Sequence, residues 1–97
     1  MTPAVPESEF LQQVKDLAKL CGWLVYHTLD SRGSDAGFPD LVLVRRGRVV
    51  FAELKSETGK ATPMQQRWLI ELGNAGAAVH LWRPSDWPQI EAVIARV

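Results

Sequence analysis

Ninety-seven residues carry 11 Lys+Arg against 11 Asp+Glu, and 46% of the chain is apolar. That balance fits one folded domain over residues 1–97 and excludes a chain that coats nucleic acid by charge alone. No apolar run reaches the ~18 residues of a membrane span, and Met1 to Glu9 lacks the apolar stretch of a secretory signal. Cys21 is the single cysteine, so an internal disulfide is excluded and a reducing cytosol is expected. The charge is uneven: residues 1–31 sum to −2, residues 32–67 to +3 and residues 68–97 to −1. The middle third is therefore where an anionic partner is sought. Four tryptophans are many for this length, and an interface is one use for them.

Seven elements follow in order. A helix starts near Pro6 and ends near Gly22, with Phe10, Leu11, Val14, Leu17, Ala18 and Cys21 at helical spacing. Trp23 to Leu29 reads as a strand. Asp30 to Gly37 has turn chemistry throughout. A second strand opens at Pro39 and runs through Leu41 to Val44, Arg45 to Arg48 turns around Gly47, and Val49 to Lys55 returns as a third strand. Thr62-Pro63-Met64-Gln65 has an N-cap, a proline at the first helical position and a capping-box glutamine, opening a helix to about Asn74. Ala77 to Trp82 is a fourth strand, and Ser85 or Asp86 caps a last helix to Val97. The order α-β-β-β-α-β-α predicts an α/β fold with helices flanking a small mixed sheet.

The chemistry concentrates between Gly37 and Lys55. A two-residue turn at Arg46-Gly47 pairs Val44 with Val49, and the same register sets Asp40 opposite Glu53, with Cβ atoms ~5 Å apart. Like charges facing each other across a ladder destabilise a sheet. A divalent cation between them removes the objection and takes both as oxygen ligands. Strand parity puts Lys55 on the face of Glu53. Two carboxylates and an ammonium together suit metal-assisted hydrolysis of a phosphate ester; three solvated surface charges are the plainer reading.

At about 100° per residue, Glu7 falls within the apolar stripe of the first helix and Glu9 points away from it. Glu7 is either part of a site beneath that stripe or a first-turn acid favoured by the helix dipole. By the same construction Gln65 falls on the inner side of the second helix with Met64, Trp68 and Leu72, and Gln66 outside. Gln65 is either a site residue or a capping-box residue alone. Arg32, Arg45, Arg46, Arg48, Lys60 and Arg67 are candidates for phosphate contacts, or scattered solubilising charge. His27 and His80 are read as structural.

Pro39-Asp40, twelve residues, then Glu53-Leu54-Lys55 resembles the PD-(D/E)XK nuclease signature. With Glu7 ahead of Phe10, the Gly22-Trp23 pair, GFPDLVLV, FAELKS and Thr-Pro-x-Gln, residues 7 to 83 resemble the VRR-NUC branch, the virus-type replication-repair nucleases. The resemblance implies a restriction-endonuclease-like core. It gives Glu7, Asp40 and Glu53 as metal-binding acids, joined by the carbonyl of Leu54, Lys55 as the catalytic lysine and Gln65 as the glutamine of the following helix. It implies Mg²⁺, with Mn²⁺ able to substitute. Stand-alone viral and phage-like members are small homodimeric endonucleases of branched DNA such as four-way junctions, acting in the cytosol of a bacterial or infected cell. The resulting expectation is a metal-dependent, structure-selective DNA endonuclease. The alternatives are a non-catalytic DNA-binding module of the same fold, or a nuclease for RNA or a restriction sequence.

Overall fold

A computed structural model describes residues 5–29 and 35–96. The elements are α1 (Glu7–Leu20), β1 (Leu24–His27), β2 (Leu41–Arg45), β3 (Arg48–Leu54), α2 (Pro63–Asn74), β4 (Ala78–Trp82), a 3₁₀ turn (Pro84–Asp86) and α3 (Trp87–Ile94). The expected order holds. β1 is shorter than Trp23 to Leu29, because Trp23 turns into the core and pairing stops at His27. The last helix stops at Ile94, and Val97 lies outside the described residues. No helix of the described chain is long and apolar enough to cross a membrane.

The sheet order is β1-β2-β3-β4. β1–β2 and β2–β3 are antiparallel, and β3–β4 is parallel, with α2 as the crossover. Arg46 and Gly47 form the two-residue turn between β2 and β3, both at positive φ (48° and 76°). Such turns match the right-handed twist of the flanking strands. Val44 pairs with Val49 and Leu41 with Ala52, the register read from the sequence.

Alternation divides the sheet into two faces. Leu41, Leu43, Val50, Ala52, Leu54 and Trp82 form a core with Phe10, Val14 and Ala18 of α1 and Ile90 and Ile94 of α3. Trp23 donates its indole N–H to the Ile94 carbonyl at 2.8 Å. Arg45 donates to the carbonyls of Cys21 (2.8 Å) and Arg96, and its guanidinium lies 4.6 Å from the centre of the Trp23 ring. One side chain of the hairpin thereby holds the ends of both helices on this face.

α2 lies on the other face, where Gly73 sits against Val79. None of its residues is fully buried, which corrects the expectation that Met64, Trp68 and Leu72 bury together. Its N-terminus carries the complete capping box: Gln65 N–H donates to Thr62 Oγ1 at 3.2 Å, and Thr62 N–H donates to Gln65 Oε1 at 2.8 Å. The segment before β2 docks here. Phe38 meets Trp68 and Phe51 edge-on at 5.1 and 6.0 Å, and Trp68 donates its indole N–H to the Ala36 carbonyl. Gly37, at φ +91°, lies so close to α2 that a Cβ would meet Met64 backbone carbon at 2.7 Å and Gln65 nitrogen at 2.9 Å.

Gly37→Ala therefore combines a strained φ with a backbone clash, and is expected to lower stability by about 2–4 kcal/mol. Gly47→Ala, where nothing lies within 4 Å of the new Cβ, carries only the left-handed penalty of about 1–2 kcal/mol. Urea denaturation separates them; equal losses would mean that Gly37 does not press on α2.

Candidate active site

Asp40 stands one residue before β2, so it is free of the last ladder pair, Leu41–Ala52, yet fixed by it. Its carbonyl accepts from Thr28 N–H at 2.8 Å and its Oδ2 accepts from Leu54 N–H at 2.8 Å. The side chain thus replaces the strand that would have continued to pair with β3. Glu53 lies beside it on the face opposite the main core, and only 1% of it is exposed. Neither Glu53 carboxylate oxygen has a hydrogen-bond partner. Lys55 Nζ approaches Glu53 Oε2 at 3.5 Å, with 12% of the lysine side chain exposed.

Burial is the main force on the Glu53 carboxyl, and the Asp40 charge adds to it. Lys55 opposes both. The result is a carboxyl pushed up from 4.5 to about 7. The register argument anticipated this conflict between the two acids. A buried carboxylate without hydrogen bonds, beside a second acid and with a single ammonium near it, costs free energy unless more positive charge is supplied, so its two oxygens fit a hard cation.

Leu54 adds a third oxygen by the same geometry. In a strand the N–H and C=O of one residue point to the same side, so the Leu54 carbonyl faces the Asp40 side. Continuing the β2–β3 register puts Pro39 opposite Leu54. Proline has no N–H, so that carbonyl meets no ladder donor from this position. Asp40, Glu53 and the Leu54 carbonyl form an all-oxygen set of the kind magnesium takes.

Other sequence candidates lie elsewhere. Glu7 is exposed in the first turn of α1, as is Glu9. No group of three His, Cys, Asp or Glu residues gathers in metal-holding reach among the described residues, so Glu7 does not join Asp40 and Glu53. The apolar stripe starts at Phe10, and the helix wheel extended it one turn too far. Gln65 is half-buried and its Oε1 is engaged by the capping box, which leaves only the amide nitrogen to reach the site. Arg45 is tied to Cys21 and Arg96, which corrects its reading as a phosphate contact. Arg46 and Arg48 are exposed at the hairpin tip, and Arg48 also lies over Trp23. Arg48 stands five positions before Glu53, or about 17 Å along the strand. Lys60 and Arg67 are exposed on the loop and helix that follow Lys55. Arg32 lies outside the described residues.

His80 stacks on Trp82 at 5.0 Å, and burial holds its pKa below the usual value. Two residues absent from the sequence reading stand next to Asp40 and next to the loop after Lys55. Thr28, beside Asp40, has a buried hydroxyl without a partner. It lines a cavity of about 380 Å³ with Tyr26, Asp35, Phe38 and Trp68. The other is Arg83, which binds the loop after Lys55; an arginine directly after an apolar strand is the only signal in the sequence.

The Glu53 carboxyl titrates near 4.5 when unfolded and near 7 when folded. Between these values the folded chain holds the extra proton, so its contribution to stability is complete below about 4.5 and lost as the pH rises to about 7. In EDTA, the melting temperature should therefore be higher at pH 5.5 than at pH 8, and Glu53→Gln should flatten the difference. A wild-type melting temperature that is level or rises over this range would show that Glu53 is not buried as described.

The chain matches the model of the VRR-NUC domain over residues 4–85. No curated relative matches it. A solved structure named "VRR_NUC domain" superposes with a TM-score of 0.76 at 27% identity, covering 93% of this chain and 95% of that one. A second, "VRR_NUC domain protein", gives 0.74 at 22% identity, covering 94% and 87%, a likeness of fold. The match over most of the chain, with Asp40, Glu53 and Lys55 at one end of the sheet, places the protein in the VRR-NUC family, which has the nuclease-type fold of the PD-(D/E)XK kind.

Proposed function

We propose that the protein is a metal-dependent DNA endonuclease that cleaves branched DNA such as four-way junctions. The observation that carries this reading is the Glu53 carboxylate, buried with neither oxygen hydrogen-bonded, beside Asp40 and with Lys55 as its one ion-pair partner among the described residues. Asp40, Glu53 and the Leu54 carbonyl would hold Mg²⁺, or Mn²⁺ in its place. When bound, the ion supplies Lewis-acid stabilisation of phosphate charge.

The chain's own residues supply the rest. Lys55 holds a positive charge against Glu53 in a largely buried place, where it stabilises negative charge developing on a phosphate and orients an attacking water. The Gln65 amide nitrogen would donate to that water. Arg46 and Arg48 at the hairpin tip, and Lys60 and Arg67 on the loop and helix after Lys55, would neutralise phosphates at separate places along a duplex. Arg32 is a further candidate. A cytosolic setting goes with this substrate and with the free thiol of Cys21.

A twofold homodimer would offer two such sites to a symmetric junction. The tryptophan argument does not support it, since Trp23 and Trp82 are buried in the core. The support is an exposed apolar patch of Leu24, Tyr26, Val44 and Val49 on the open half of the sheet, because contiguous apolar surface marks interaction sites.

Three outcomes test this reading. Linear, flap and four-way-junction DNA should be cut in Mg²⁺ or Mn²⁺ and left intact in EDTA, with the junction preferred; binding of junctions without cleavage would favour a non-catalytic module. Lys55→Ala should abolish cleavage while Mn²⁺ affinity changes by less than about tenfold, because lysine is a charge partner and not a ligand. Light scattering should give twice the monomer mass, and Leu24→Asp should halve it; a fully active wild-type monomer would exclude the dimer.

A further inference from the structure

The backbone that follows Lys55 is wrapped around a single guanidinium. Arg83 Nη1 donates to the carbonyls of Ser56 at 2.6 Å, Glu57 at 3.2 Å and Gly59 at 2.6 Å. Three acceptors thus converge on one nitrogen from within four consecutive residues. The segment has no regular secondary structure of its own, so these bonds set its course.

Neighbouring bonds sew the same two stretches together. Lys55 N–H donates to the carbonyl of Trp82, the residue before Arg83, at 3.0 Å. Ser85 N–H donates to Glu57 Oε1, and Arg83 N–H donates to Asp86 Oδ2 at 2.9 Å. Ser56 closes the bend by accepting from Gly59 N–H on its hydroxyl, at 3.0 Å.

The wrapped loop forms one wall of the lysine's place. A Cβ built on Gly59 would stand 3.7 Å from Lys55 Cδ, so the hydrogens of that glycine face the lysine stem. Lysine carries its charge on a flexible four-carbon stem. Here the stem is walled in, with 12% of the side chain exposed and Nζ at 3.5 Å from Glu53. Arg83 itself is half-buried and turned to backbone oxygens.

We propose that Arg83 is a positioning residue for Lys55. It folds residues 56–59 into the wall that fixes the ammonium over Glu53, and it acts only through that wall. The proposal rests on the reading of Lys55 as the residue that serves the reacting phosphate.

Arg83→Met keeps the reach and removes the donors; Arg83→Lys restores an ammonium suited to a ring of carbonyls. In Mg²⁺-dependent DNA cleavage, Arg83→Met should lower kcat by up to about a hundredfold, the cost of a small misplacement. KM for DNA and Mn²⁺ affinity should stay within about threefold, and Arg83→Lys should recover most of the loss. By NMR, a nuclear Overhauser contact between the Lys55 stem and Gly59 Hα should be present in wild type, lost in Arg83→Met and kept in Arg83→Lys. Unchanged kcat in folded Arg83→Met, a raised KM at full kcat, or a retained contact would each overturn the proposal. Should Arg83→Met fail to fold, Arg83→Gln is held to the same three criteria. A wild type that cuts no DNA overturns the nuclease reading instead, and the Lys55–Gly59 contact still decides the role of Arg83.

Discussion

Everything at the candidate site depends on one carboxylate kept out of water. Glu53 is 1% exposed and stands between Ala52 and Leu54, which are buried on the opposite face. Those two neighbours lock the strand at its depth, so Glu53 cannot move toward solvent without lifting apolar residues from the core. A slip of one residue would reverse the faces and put the acid among Phe10 and Ile90. The Arg46-Gly47 turn forbids that slip, because two residues at positive φ admit a single pairing of Val44 with Val49. Register is thus the constraint from which burial, the raised pKa and the approach of Asp40 and Lys55 all follow.

Two arginines perform similar work at opposite ends of the sheet. Arg45 gathers the carbonyls of Cys21 and Arg96, and Arg83 gathers those of Ser56, Glu57 and Gly59. A guanidinium suits this because it is permanently charged and offers several donors in a fixed plane. The positive middle third of the chain therefore overstates the charge available to an anionic partner. Arg45 is engaged inside the protein, and the remaining described cations of that third divide among the hairpin tip, the stretch from Lys55 to Lys60 and α2.

What was legible in the sequence was local. The hairpin turn, the pairing of Asp40 with Glu53 and the capping box at Thr62 each follow from residues close together in the chain, where backbone geometry leaves few choices. What was not legible depended on distant packing. A helix wheel gives the direction of Glu7 around α1 but not its depth or its distance from the acids of the sheet, and Glu7 is exposed and does not gather with them. Arg45 and Arg83 carry no local sign of their partners, which lie 24 residues or more away. α2 has helical apolar spacing, yet it lies on a partly open face where none of its residues is fully buried. Gln65 satisfies the local rule, and only its amide nitrogen is left over by the capping box.

The site is also where the sheet breaks its own rules. Pro39 withholds a ladder donor opposite Leu54, Asp40 supplies a side chain where a strand would continue, and Glu53 is buried without a hydrogen bond to its carboxylate. Any one of these would be a defect in a domain shaped only for stability. All three are neighbours in the continued β2–β3 register. Natural folds concentrate such violations where function requires them. The surrounding structure is correspondingly strict: Gly37 pressed on α2, Phe38 between Trp68 and Phe51, and the Arg83 loop behind Lys55. An unsatisfied cluster of oxygens can persist only if its frame cannot relax around it, so the tight packing of these supports follows from the same requirement that leaves the carboxylate of Glu53 without hydrogen bonds.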